Sequence, residues 1–199
     1  MTDAQLIIKF KNGDSNAFNT IVWRWQKRIF NFVLRYIGDR EECFDICQQT
    51  FIRAYQNLHR LRDAERFSTW LYQIAINICR DEIRRRGRNR TFSLDGIIQN
   101  DRHEKTLPVI TNDSRDHPEA ETQNGSLREL LNKAMQELPE EQRVVVIMKE
   151  YQGLKFVEIA DVLETSVNTV KSRMYYGLSA LRKILKQWQI NEESIRYEL

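Results

Sequence analysis

The sequence predicts an all-α protein: two small helical domains joined by a flexible acidic linker, the second domain carrying a helix-turn-helix. Three observations carry this. Only seven glycines and three prolines interrupt 199 residues. Apolar residues recur at three- and four-residue intervals, the spacing of a helix face, rather than alternating as in a strand. The periodicity lapses once, from Thr91 to Ser126, where Pro108, Pro118 and Gly125 gather among mixed charges. A gap of that length exceeds an ordinary helix–helix loop, so it divides the chain. The expected units are a first domain at 1–90, a linker at 91–126, a second domain at 127–190 and a tail at 191–199.

Taken in order, Ser15 to Ile37 places Phe18, Ile21, Val22, Trp25, Ile29, Phe32, Val33 and Tyr36 on one side of a long helix, with Asp14 or Ser15 as cap and Gly38 as stop. Past the turn GDRE, a second helix of about twenty residues runs through CFDICQQTFIRAYQNL. It buries Cys43 or Phe44, Cys47, Phe51, Ala54 or Tyr55, and Leu58, and turns Asp45, Gln48, Gln49 and Arg53 outward. HRLRDAER is a polar connection. FSTWLYQIAINICRDEIRRR forms a third helix capped by Ser68 or Thr69, with Trp70 or Leu71, Ile74, Ile78 and Ile83 as its packed stripe.

Helical spacing returns in LRELLNKAMQEL, where Leu127, Leu130, Leu131, Ala134 and Leu138 share a face. Pro139 opens the next helix, EEQRVVVIMKEYQ, whose early acids suit the positive end of the helix dipole, and Gly153 ends it. IADVLETSVNTVKSRMYYG then reads as two short amphipathic helices around a tight turn, the second continuing through LSALRKILKQWQ. At about 100 degrees per residue, Val167, Val170, Met174, Leu178, Leu181 and Leu185 form its packed stripe. Ser166 caps it. Asn168, Thr169, Ser172 and Tyr176 project from the opposite side, flanked by Lys171, Arg173 and Tyr175.

Net charge is only +3, but its distribution is uneven. Residues 80–90 hold six arginines against two acids, or +4, and residues 165–191 hold five Lys or Arg and no acid, or +5. Between them, residues 91–126 hold three Lys or Arg against seven acids, or −4. Two basic patches flanking an acidic connector point to a polyanionic partner, because a generic solvated face mixes its signs. No run of apolar residues approaches a membrane span or a signal peptide, so a cytoplasmic location is expected. The odd number of cysteines, Cys43, Cys47 and Cys79, and the scattered histidines, His59, His103 and His117, lack zinc-ligand spacing. The thiols are read as core or neutral surface groups, and no metal or cofactor is expected.

The chemistry of two helices stands out. A helix-turn-helix presents the N-terminal half of its second helix to base edges, and Asn, Ser, Lys and Arg side chains hydrogen-bond there or to phosphates. Residues 168–176 supply that set. In the third helix of the first half, Thr69, Gln73 and Asn77 lie among aromatic residues and ahead of a basic tail, the mixture that serves unstacked bases and a phosphate backbone.

The strings DICQQTFIRAYQNL, RFSTWLYQIAINICRDEIRRRGR and LPEEQRVVVIMKEYQGLKFVEIADVLETSVNTVKSRMYYGLSALRK, in that order, resemble bacterial RNA polymerase sigma factors of the extracytoplasmic-function (ECF) subfamily. The match spans about residues 10–90 and 127–187. The resemblance implies a transcription initiation factor that joins core RNA polymerase and supplies promoter recognition. Asp45, Gln48, Gln49 and Arg53 would dock on the clamp coiled coil of the largest polymerase subunit, with the family often carrying an acid where Gln49 stands. The second domain would meet the flap of the second-largest subunit. His59 to Arg84 resembles the element that captures the −10 strand: Arg62, Asp63, Arg66, Ser68 and Thr69 would line a base pocket, and Trp70 belongs to the family's Thr-Trp-Leu signature. Gln73, Asn77, Arg80 and Arg84 extend that surface. Lys171, Ser172, Tyr175 and Tyr176 match the −35 contact positions, beside Asn168, Thr169 and Arg173. Relatives are commonly held inactive by an anti-sigma factor, often membrane-bound. The linker would thread toward the polymerase active site.

Two other classes compete. A stand-alone helix-turn-helix regulator would bind specific duplex without polymerase. An enzyme would need a phosphate loop, a metal triad or a nucleophile–base pair, and Asp45, Asp63 and Asp81 show no convergence, so no catalytic residue is expected.

Overall fold

The computed structural model describes residues 1–92 and 129–188, with side chains through residue 86 in the first stretch, and every regular element among them is helical. The linker and the tail lie outside the described residues, apart from Thr91 and Phe92, which continue a helix. An element that periodicity did not reveal comes first: α1, Asp3–Lys11, is opened by a capping box. Thr2 Oγ1 accepts from the Gln5 amide at 3.3 Å while Gln5 Oε1 accepts from the Thr2 amide at 2.9 Å. The helix buries Leu6 and Ile7, and its Asp3 receives Trp25 Nε1 at 2.9 Å and an ion pair from Arg24.

Helix α2, Ser15–Ile37, is the axis of the first stretch. Asp14 caps it through the Asn16 amide, and Gly38 ends it at φ 80°, a left-handed turn that an L side chain would strain. Seven of the eight apolar positions expected to face inward are buried; Val22 is half-buried. Helix α3, Arg40–Asn57, starts from Asp39, whose carboxylate accepts from the Glu41 and Glu42 amides. The open alternatives resolve to Cys43 and Ala54 inside, with Phe44 and Tyr55 outside. Thr50, the one buried polar residue of the described core, donates to the Ile46 carbonyl at 2.7 Å and so leaves no hydroxyl unpaired.

The connection 59–66 holds two 3₁₀ turns, Leu58–Arg60 and Ala64–Arg66, before α4, Phe67–Phe92. Neither Ser68 nor Thr69 caps α4, contrary to expectation. Asp63 accepts from the Glu65 amide at 3.0 Å, so the chain is already turning when α4 begins. The buried face of α4 is also wider than expected, comprising Leu71, Tyr72, Ala75, Ile76, Ile78 and Cys79, with Trp70, Ile74 and Ile83 half-buried. The reason is that α4 packs on α2 and α3 and also on a helix of the second stretch. Trp25 and Phe32 of α2 meet the Tyr72 ring edge-on at 6.0 and 5.3 Å between centroids.

In the second stretch, residues 129–136 form α5, followed by α6, Glu140–Val146, which passes into a π turn, Ile147–Tyr151. Pro139 sits at the cap position just ahead of α6 rather than in its first turn. Val144 through Met148 are all buried, so this segment is a wedge rather than a one-sided helix. Gly153, at φ 69°, turns the chain toward α7, Phe156–Leu163, and α8, Val167–Gln187. Val170 and Met174 are buried as expected; Leu178 is 46% exposed. Its neighbour Gly177 takes the inward place, where an added Cβ would stand 3.0 Å from Val146 Cγ2. Gly177→Val should therefore destabilise the fold by about 1–3 kcal/mol, read as a fall in thermal midpoint, although leaving glycine normally favours a helix.

The three cysteines are free, Cys43 and Cys79 buried and Cys47 half-buried. Burial pushes the Cys47 thiol up to about 12 from 9.0. At pH 8 a thiol reagent should label Cys47 in the folded protein about a thousandfold more slowly than in unfolded chain. Because the unfolded thiol ionises first, its contribution to stability is intact below pH 9 and declines as pH rises toward 12.

Candidate nucleic-acid interface

Three surfaces gather the residues expected to bind. On α3, Asp45, Gln48, Gln49 and Arg53 are all exposed, and they share that surface with Phe44 and Ile52, 55% and 49% exposed. Acidic, amide and apolar groups on one rigid helix suit a protein partner better than a phosphate backbone.

The second surface is a cavity of about 380 Å³ between α3, the 3₁₀ turns and α4. Arg62, Trp70 and Asn77 line it, as do Arg60, Leu61, Ile74 and Asn57, which sequence reasoning did not assign, and Arg53, assigned to the polymerase surface. Trp70, Ile74 and Asn77 recur at i, i+4 and i+7 on α4, so one face of that helix forms a wall. An indole, two aliphatic side chains, two amides and three guanidinium groups around one opening suit a flat, hydrogen-bonding ligand attached to a phosphate. The spacing on α4 could have signalled this wall; the contribution of α3 could not be read without the fold.

The remaining α4 residues do not line the cavity. Asp63 is spent on its turn. Ser68 and Thr69 are half-buried. Arg84 is exposed with its guanidinium 3.5 Å from Asp81. Arg66 forms an ion pair with Asp161, Gln73 Nε2 donates to Glu164 Oε1 at 2.6 Å, and Arg80 Nε lies 3.6 Å from Glu140 Oε1. Tyr72, buried beside them, donates its hydroxyl to Gln152 Oε1 at 2.7 Å, and burial pushes its phenol up to about 12.

The third surface is the start of α8. Ser166 Oγ accepts from the Thr169 amide at 3.0 Å and lies 2.8 Å from Thr169 Oγ1, so Thr169 belongs to the cap. Asn168, Lys171 and Ser172 are exposed, and Tyr175 and Tyr176, 71% and 60% exposed, meet edge to face. Arg173 is half-buried and held by Glu141, with 2.6 Å between Nη2 and Oε2. The outward set is thus Asn168, Lys171, Ser172 and the tyrosine pair. Helices α7 and α8 are joined by Glu164, Thr165 and Ser166 alone.

A helical pair separated by a three-residue turn, combined with a basic, base-sized cavity on another helix, defines a protein that grips nucleic acid at two places. Comparison with known families is consistent with this. Residues 21–89 match Sigma-70 region 2 and residues 128–181 match Sigma-70, region 4. The RNA polymerase sigma-H factor of Pseudomonas aeruginosa is 30% identical over 189 residues, covering 92% of this chain and 94% of that one. The ECF RNA polymerase sigma-E factor of Escherichia coli K12 is 32% identical over 183 residues, covering 91% and 93%. Among solved structures, CnrH in complex with the cytosolic domain of CnrY has a TM-score of 0.67 at 20% identity, covering 93% of this chain and 97% of that chain. The sigma factor RpoE in complex with the anti-sigma factor NepR from Bartonella quintana has a TM-score of 0.64 at 20% identity, covering 85% and 96%. The chain belongs to the ECF RNA polymerase sigma factors. It binds core RNA polymerase and directs promoter recognition, and it is not itself an enzyme. No helix among the described residues is long and apolar enough to cross a membrane.

Proposed function

We propose that residues 1–90 bind core polymerase and the melted −10 strand, and that residues 127–190 read the −35 duplex through a helix-turn-helix formed by α7 and α8. The observation that carries the first assignment is the α3–α4 cavity, with Trp70 and Asn77 on its wall and Arg53, Arg60 and Arg62 around it. An extruded base stacks on the indole and hydrogen-bonds to the Asn77 amide while the guanidinium groups take flanking phosphates. Strand opening then follows from tighter binding to the melted state than to duplex. Asp45, Gln48 and Gln49 on the adjoining outer face of α3 dock the largest subunit's clamp coiled coil, with the second-largest subunit's flap receiving the C-terminal unit. Arg53, assigned to docking by resemblance, is reassigned to the cavity.

At the upstream element, Asn168, Lys171, Ser172, Tyr175 and Tyr176 face the major groove, while Arg173 braces α8 on α6 through Glu141. Lys171→Ala should weaken −35 duplex binding by polymerase holoenzyme and lower the slope of log affinity against log salt by about 1. A filter-binding salt series reads both. An anti-sigma protein that covers the α3 face is the expected regulator, since the solved likenesses CnrH and RpoE are each held by a second protein. The direct test is a gel shift of promoter duplex with and without core polymerase: specific retention is expected only with core, and equal retention by the chain alone favours a stand-alone regulator.

A further inference from the structure

Arg66, Gln73 and Arg80 follow one another at seven-residue intervals along α4. Seven residues fall about 20° short of two full turns, so the three form a single stripe. Each meets a carboxylate from the second helical stretch: Asp161 on α7, Glu164 in the turn before α8, and Glu140 at the head of α6. The contact at Glu140 is anchored. Its Oε1 also accepts from the Tyr36 hydroxyl at 2.5 Å, and the Arg143 guanidinium lies 5.7 Å from the centre of the Tyr36 ring. Glu164 is the only non-glycine residue at positive φ among the described residues, at 51°. Glycine or asparagine would occupy that backbone more easily. The chain carries instead a residue whose carboxylate reaches Gln73.

We propose that this is a closed, self-masking state, in which three carboxylates of the C-terminal unit occupy the α4 stripe that takes promoter DNA in the open state. The proposal rests on the −10 reading of α4 given above. Carboxylates stand on Arg66 and Arg80 where phosphates would stand, and a DNA strand running along the stripe has to displace all three. The mask is partial: Trp70 and Asn77 still face the open cavity, and Lys171, Tyr175 and Tyr176 stay exposed on α8. Exposed ion pairs are individually weak and screened by salt, so a patch of them makes a lock that polymerase can open.

The test uses the full chain with distance labels introduced by Asn19→Cys on α2 and Ser179→Cys on α8, both exposed positions. Asp161→Asn combined with Glu164→Gly removes two of the carboxylates and the backbone strain. Glu129→Gln with Glu137→Gln removes the same charge elsewhere on the C-terminal unit and serves as control. The closed state predicts a longer label separation in the first variant and tighter binding of a single-stranded −10 oligonucleotide by core-free protein. A resting state open one time in ten gives a gain of about tenfold. The control should change neither, and the charge swap Arg66→Asp with Asp161→Arg should restore the short separation. A wild-type separation already equal to that of the first variant overturns closure, whatever α4 binds. A longer separation without any gain in oligonucleotide binding overturns masking. The −10 reading fails separately, if Arg66→Ala leaves transcription by the holoenzyme unchanged while closure is observed.

Discussion

Replacing Trp70 and Asn77 together by alanine should abolish promoter opening while leaving assembly with core polymerase intact. Stacking of one base on an aromatic side chain is worth about 1–3 kcal/mol by alanine substitution. A lost base-edge hydrogen bond adds about 1–3 kcal/mol of discrimination. Even the lower ends of those ranges combine to a loss of roughly thirtyfold in open complex, and the mid-range to more than a hundredfold. The variant is expected to fold, because Asn77 is exposed and Trp70 is only half-buried. Co-elution with core polymerase checks assembly, since Asp45, Gln48 and Gln49 occupy the outer face of α3 rather than the cavity wall. Gln73→Ala, on the other stripe of the same helix, should cost less.

The second large effect is on the fold itself. Phe32 is fully buried at the middle of α2, with its ring 5.3 Å from Tyr72 of α4 and 6.0 Å from Tyr36. Phe32→Ala removes a large apolar side chain from between two helices and leaves a cavity that rigid neighbours fill only in part. The expected cost is about 3–5 kcal/mol, a large share of the stability of a domain this size. Denaturant titration should show the midpoint falling with little change in slope. Phe44→Ala is the matched comparison: the same side chain type, 55% exposed on α3, should cost far less stability.

These cases show which parts of the structure were legible in the sequence. Helix α2 was readable to the residue, because a long apolar stripe, an Asp cap and a stop glycine all agreed. The N-terminal helix α1 is too short for periodicity to stand out, and only the spacing of Thr2 and Gln5 announced it. On α4 the pattern misled in a physical way. A helix packed on two sides shows no clean stripe, so Tyr72 and Ile76 were overlooked and Ile74 was placed too deep. Leu178 failed for another reason: the side of α8 that approaches α6 most closely requires glycine, and a hydrophobicity pattern does not count glycine as buried.

The site divided along the same line. Exposed polar residues near the start of α8 could be named from their place after a capping serine. Membership of the cavity could not, because Arg53 and Asn57 come from a different helix and only the 3₁₀ turns bring them opposite Trp70. The acids that meet the Arg66, Gln73 and Arg80 stripe, 60 to 95 residues later in sequence, looked like ordinary solvated charges. Charge complementarity between distant segments appears only when the fold sets them face to face.

Permanganate probing of promoter thymines in complexes of core polymerase with this chain tests the central claim most directly, because it reports melting at single-base resolution. With the wild-type chain, reactivity should appear in a short window around −10 on promoters selected by start-site mapping. It should vanish with Trp70→Ala/Asn77→Ala while core assembly persists. Unchanged reactivity with that variant, or none with the wild type under conditions where polymerase assembles, would contradict the account.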